Sequence, residues 1–377
     1  MTNLRVCCVL PVAIGLVITS AALAADAPQP AVRVAVDPRI ELFSIIFRLA
    51  GNHEYCQGRV DSYTKAIDAH FGRFKDHPVV AMARQLRTDH GVSFDAPMSL
   101  AVLLKDAETL EPLTPLVPWP KSLDRRWTVE SVGAFLSAAR QFIRDASFFE
   151  FFEKHRPEYA IAESRLREVL DKEGHLEWFG EFFGERPGAR FTVVLGMLNG
   201  GCCYGGRARA GEDVEDLYCI LGVWLTDAEG MPRFDGSVVP LVVHEFCHSF
   251  ANPFIDRHAR ELDEAGNRLF TDAASAMRSQ AYASGRTVLY ESLVRACVVR
   301  HVRKYRGEKA AEKELREQKA RKFTCVEALA NALGEYERQR DRYPTLESFA
   351  PRLVNVFAEC SPTPPKPAPA VLLPIGK

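Results

Sequence analysis

Apolar positions along most of the chain recur at helical spacing. Ile40, Leu42, Phe43, Ile46, Phe47 and Leu49 predict a buried helix that starts at Pro38 and ends at Gly51. Similar periodicity predicts helices near Val60–Phe71, Pro78–Asp89, Pro97–Lys105 and Val129–Arg144. Pro112, Pro115, Pro118 and Pro120 interrupt the chain before the last of these. A long helix is expected over Phe148–Glu173, kinked or split by Pro157. The pattern then changes. Phe191–Leu198 and Leu217–Trp224 are short, apolar runs that read as strands, with the glycine-rich loop Asn199–Gly206 between them. Leu241–Pro253 forms one apolar helix, which Asn252-Pro253 is expected to stop. Beyond it come helical stretches at Thr271–Ala283, Thr287–Tyr305, Glu308–Lys322, Val326–Arg340 and Leu346–Glu359. The expected class is therefore α+β, mainly helical, with a small sheet preceding one buried helix.

The two ends read differently. Residues 1–24 carry Arg5, an apolar run from Val9 to Ile18 and Ala22-Leu23-Ala24, the marks of a cleaved secretory signal peptide. The apolar run is short for a membrane anchor, so no stable span is expected after cleavage. Residues 25–37 read as an extended leader and 361–377 as a proline-rich tail. Between them, 38–360 reads as one domain. Its expected parts are a helical section 38–185, a core 186–305 and C-terminal helices 306–360. The expected address is periplasmic or secreted.

Composition adds little to this outline. The chain of 377 residues is 47% hydrophobic and 26% charged, ordinary for a folded domain. A formal charge of −1 gives no field to recruit nucleic acid. Eight of the ten cysteines follow the expected cleavage site, without a CxxC pair, so a structural zinc knuckle is not expected; some bridging fits an exported chain.

The chemistry lies in the apolar helix. It contains His244-Glu245-x-x-His248. Residues four apart share a helix face, so both imidazoles can address one metal ion. Glu245 then lies beside that ion, where it can take a proton from a water the metal activates and pass it to the leaving group. A small sheet leading into such a helix is the usual scaffold of zinc peptidases, in which an edge strand can pair with an extended substrate. The competing reading is a core helix with two hydrogen-bonded histidines.

A catalytic zinc takes three protein ligands and leaves one position open. A metzincin spacing fails at Ala251 and Phe254, and Asp256, Asp263 and Asp272 lack an aspzincin context. The best candidate is Glu291, a carboxylate in the otherwise apolar run Val288–Val299. Arg295, one turn on, offers either a structural ion pair or an orienting group for a ligand. Glu261 and Glu264 are fallback ligands in the polar run Arg257–Arg268.

Other groups have two readings each. The loop is a tight β-connection, or it places Asn199, backbone N–H groups and Tyr204 as oxyanion stabilisers. Tyr282 and Tyr290 are oxyanion donors or core aromatics. His53-Glu54-Tyr55 is a polar turn or an active-site loop. Cys247, inside the motif, faces away from the histidine edge and reads as packing.

Together these residues resemble a bacterial family described only as a domain of unknown function, DUF4932. The resemblance rests on Glu41–Gly51 with Glu54-Tyr55, on Tyr204-Gly205, on His244–Pro253 and on Glu291-Ser-Leu-Val-Arg-Ala296, and spans roughly residues 38–360. The chain departs from it at Cys203, where a polar residue is expected. The resemblance implies a gluzincin-type metallopeptidase with Glu291 as a ligand, but no substrate. The expected function is an exported zinc-dependent hydrolase acting on a peptide or protein. Its rivals are a hydrolase of non-peptide amides or esters and a non-catalytic binding module.

Overall fold

The computed structural model describes residues 32–209, 211 and 213–361. The expected signal peptide, and the expected tail beyond Ser361, lie outside these residues. Strands β1 (Arg33–Ala35), β2 (Ala189–Gly196), β3 (Cys203–Arg209) and β4 (Glu215–Gly222) form one four-stranded sheet in the order β1-β2-β4-β3. β1, β2 and β4 run parallel, while β3 pairs antiparallel with β4 and forms an edge. The two inner strands are buried on both faces, which is why Val193-Val194-Leu195 and Cys219-Ile220-Leu221 read as unbroken apolar runs.

Two expectations about the sheet change. Residues 33–35 are not part of a leader: they pair with Thr192–Val194. A strand of three residues is too short to show alternation. The glycine-rich stretch is a tight connection only over its first residues; from Cys203 onward it is β3. Gly222 at the end of β4 is required there, because any side chain would strike the Gly200 carbonyl oxygen at 2.2 Å.

The N-terminal helices are α1 (Pro38–Leu49), α2 (Asp61–Phe71), α3 (Pro78–His90), α4 (Asp95–Ala101) and α5 (Val129–Asp145). Asp37 caps α1 by accepting the Arg39 amide, and Thr128 and Ser131 form a reciprocal capping box on α5. Pro157 splits the expected long helix. α6 (Phe148–Lys154) ends and α7 (Arg156–Glu173) begins with that proline in its first turn, where no amide is needed. The short aromatic helix α8 (Trp178–Phe183) then leads into β2.

After the sheet come α9 (Val239–Arg257), α10 (Ala259–Asp272), α11 (Ala274–Ser279), α12 (Gly285–Arg306), α13 (Glu308–Ala320), α14 (Val326–Arg338) and α15 (Ala350–Cys360). α10 replaces the expected polar run and buries Leu262, Ala265, Gly266 and Leu269 on one face. α9 does not stop at Asn252-Pro253 but continues to Arg257. Pro253 cannot donate to the Ser249 carbonyl, and Arg186 Nη1 does so from outside the helix at 3.1 Å. α9 packs against β3, β4 and α12, the arrangement that builds the site below. The eight described cysteines are free thiols. None of the described helices is long and apolar enough to cross a membrane.

Candidate metal centre

α9 presents His244 and His248 one turn apart, with their Nε2 atoms 3.2 Å from each other. α12 brings Glu291 to the same point. Its Oε2 lies 3.5 Å from His244 Nε2 and its Oε1 3.5 Å from His248 Nε2. The three ligand atoms all fall within 4.8 Å of one another. Ligands about 2.0–2.2 Å from a tetrahedral zinc stand about 3.3–3.6 Å apart, so this donor set fits such an ion. Two imidazole nitrogens and a carboxylate are also the donor types zinc takes.

The groups behind the ligands fix their aim. Asn252 Oδ1 lies 3.1 Å from His248 Nδ1. That carbonyl oxygen accepts, which puts the proton on Nδ1 and turns the Nε2 lone pair toward the centre. Arg295 Nη2 donates to Glu291 Oε2 at 2.7 Å and to the Tyr282 hydroxyl at 3.0 Å. Arg295 Nη1 donates to Gln318 Oε1 at 2.6 Å, and the guanidinium lies 4.3 Å from the centre of the Phe323 ring. Glu291 thus pairs with Arg295 and at the same time faces the two histidines.

Burial lowers the His244 pKa to about 3, with His248 and the guanidiniums of Arg295 and Arg321 adding to the effect against the pull of Glu291. The imidazole is therefore neutral at pH 7. Burial alone would push Glu291 up, yet His244, His248 and Arg295 hold it at about 2. With His244 neutral, Arg295 is the standing cation that keeps Glu291 ionised at pH 7. Burial raises the Glu245 pKa to about 7, so this carboxyl can both take and give a proton near neutrality. The Glu245 side chain lies against β3: a methyl group at Gly205 would come within 3.3 Å of Oε2.

Other expected site residues are placed elsewhere. Cys203 and Gly205 face α9, so Tyr204 points to the other face of β3, beside Cys202, Tyr55 and Glu54. Its expected oxyanion role does not survive that register. Asn199 is fully buried against Gly196 and accepts from Ser44 Oγ at 3.4 Å, so it too serves the connection rather than the centre. The Tyr290 hydroxyl donates to Asp256 and so is committed beside the site. Tyr282 reaches the centre only through Arg295 and Glu291. Glu261 is exposed on α10, and Glu264 pairs with Arg268 at 2.6 Å, which removes both fallback ligands. Cys247 is buried packing, its thiol beside that of Cys297 on α12. Sequence reasoning missed Asn252, Gln318 and Phe323. Asn252 carried a usable signal, since it follows His248 by the same four-residue step that separates the two histidines.

Two cavities flank the centre. One of about 850 Å³ is walled by Asp95, Ser99, Gly205, Asn252, Thr287 and Tyr290, among others. The other, of about 490 Å³, reaches His244 and Arg295 and has Trp224, Leu241, Val298 and Val302 in its walls.

Nothing among the curated proteins or the solved structures matches the chain. One family model does, over residues 32–356, and its description is Domain of unknown function (DUF4932). That match takes in β1, the whole sheet and all three candidate ligands, and the chain belongs to the DUF4932 family.

Proposed function

We propose that the protein is a zinc-dependent hydrolase, a metallopeptidase of gluzincin type on a zincin-like fold. The observation that carries this reading is the convergence of His244 Nε2, His248 Nε2 and the Glu291 carboxylate beside a buried Glu245. A zinc ion in this donor set would acidify a water and polarise a carbonyl. Glu245 takes the proton that attack on the carbonyl releases and delivers it to the departing amine, a two-way role that a pKa near neutrality serves. Asn252 and Arg295 keep the ligand side chains in one orientation throughout.

β3 supports a peptide as the substrate. It is an edge strand, and its Gly205 borders both Glu245 and the larger cavity. An extended chain pairing with that edge would run past the carboxylate. The signal-like N terminus supports export to the periplasm or the medium.

The test is metal content of purified protein after mild dialysis, wild type beside Glu291→Ala, with Glu245→Gln as the activity control. About one zinc per wild-type chain is expected, with a clear loss in Glu291→Ala and retention in Glu245→Gln, which should hydrolyse nothing. Wild-type protein that takes up no zinc even when supplied would make the chain a binding module. Zinc with ester but no peptide hydrolysis would move the substrate to non-peptide esters or amides.

A further inference from the structure

Glu54 and Tyr55 take no part in the chemistry above, yet both are completely buried. They grip a single residue. Glu54 Oε1 accepts the Phe94 amide at 2.9 Å, and the Tyr55 hydroxyl donates to the Phe94 carbonyl. Glu54 is itself held by Asn52 Nδ2 at 3.1 Å and Arg87 Nη1 at 3.1 Å. The flanking chain is held as firmly. Arg126 donates to the Ser93 carbonyl at 3.0 Å and pairs with Asp95.

The residue so held has an unusual shape. Phe94 sits at φ 55° and ψ −112°, a backbone conformation that side chains other than glycine rarely adopt. Its ring is not in the core: the residue is 41% exposed, whereas Ala96 and Met98 just after it are buried. Phe94 differs in this from Leu110, which also has positive φ but is wholly buried. A surface turn can hydrogen-bond to water and take glycine at such a position. Here two buried side chains instead hold a strained backbone that presents an aromatic ring to solvent. Strain held by the surrounding structure in this way clusters at binding and catalytic positions. The neighbour Asp95 lies in the wall of the cavity that Gly205 and Asn252 also line, so the segment borders the cleft beside the centre.

We propose that Phe94 is a specificity-determining residue that contacts an apolar or aromatic side chain of a peptide extending out of the larger cavity past Asp95, and that Glu54 and Tyr55 are positioning residues that hold it there. The proposal rests on the peptidase reading of that cavity.

The test compares Phe94→Gly and Glu54→Gln with wild type, all zinc-loaded, on quenched fluorescent peptides of two kinds, rich in Phe and Leu or rich in Ser and Gly. Phe94→Gly removes the ring and relieves the backbone, so its melting temperature should not fall and its zinc content should hold. KM for the Phe/Leu peptides should rise by about tenfold with kcat little changed, and the Ser/Gly peptides should be affected much less. Glu54→Gln should reproduce the KM rise in smaller measure. Equal KM values for wild type and Phe94→Gly overturn the proposal, as does an equal loss on both kinds of peptide accompanied by a lower melting temperature. Wild type that cleaves neither kind refutes the peptidase reading instead. Fluorescence anisotropy of the same labelled peptides then decides the contact: weaker binding by Phe94→Gly sustains it, and equal or absent binding overturns it.

Discussion

Replacing Glu41 by glutamine should remove a pH-dependent part of the protein's stability. Glu41 is wholly buried on α1. Its Oε2 accepts from the Tyr63 hydroxyl at 2.7 Å and its Oε1 from the Met197 amide at 3.0 Å. Burial raises its pKa from 4.5 to about 7, more than these two hydrogen bonds lower it. In the unfolded chain the carboxyl titrates near 4.5. Between those values the native state holds a proton that the unfolded state has released. Stability from this group is therefore complete below about pH 4.5 and lost as pH rises through about 7. At about 1.4 kcal/mol per pH unit, the group changes stability by about 2–3 kcal/mol between pH 5 and pH 8. Glutamine can keep both contacts, with its oxygen toward Met197 and its amide toward Tyr63, whose hydroxyl can turn to Tyr159 2.7 Å away. Urea unfolding of wild type and Glu41→Gln at both pH values measures the effect. Glu41→Gln should gain on wild type by about 2–3 kcal/mol on going from pH 5 to pH 8. Parallel pH dependences would show that Glu41 is ionised in the native state across that range and refute the reasoning.

Four further outcomes test other parts of the structure. Asn252→Leu should keep the fold but weaken zinc binding by about 10–100-fold in competition with a chromogenic chelator, because His248 loses the partner that fixes its proton. Arg295→Met should destabilise the metal-free protein by about 3–5 kcal/mol in urea unfolding, since Glu291 is left as a buried, unpaired carboxylate; added zinc should recover part of the loss. Gly205→Val should retain zinc and lose hydrolysis, as its branched side chain pushes into the Glu245 carboxylate. Gly285→Ala should lower stability by about 1–3 kcal/mol in the same unfolding assay, because the new methyl would lie 2.5 Å from the Gly266 backbone where α10 crosses α12.

The candidate ligands are legible because their signals are local. The His244–His248 spacing is a property of one helix, and Glu291 stands out as a carboxylate in an apolar run. What escaped depends on distant residues. Pro253 reads as a stop, yet α9 continues past it, with Arg186 from before β2 bonding the Ser249 carbonyl that the proline leaves without a helical donor. By sequence Tyr204 reads as an oxyanion donor, and only pairing with β4 sets the register that turns it away. β3 carries Gly205, Gly206 and two arginines, so its strand character comes from its neighbour rather than from its own pattern. α10 hid for a related reason: three apolar side chains on one face suffice to dock it, while the rest of its surface reads as polar loop.

The grip on Arg295 bears on how small a working version of this chain can be made. All three candidate ligands and Glu245 are present by Glu291, and a fragment ending with α12 would contain the whole recognisable motif. It would lack Gln318 and Phe323, which pin the guanidinium that steadies Glu291. Such a fragment would keep the donor atoms and lose their preorganisation, so zinc would have to order the third ligand at its own expense. The helices after α12 thus set the lower limit for a minimal unit with this centre preorganised, although none of them supplies one of its three candidate ligands.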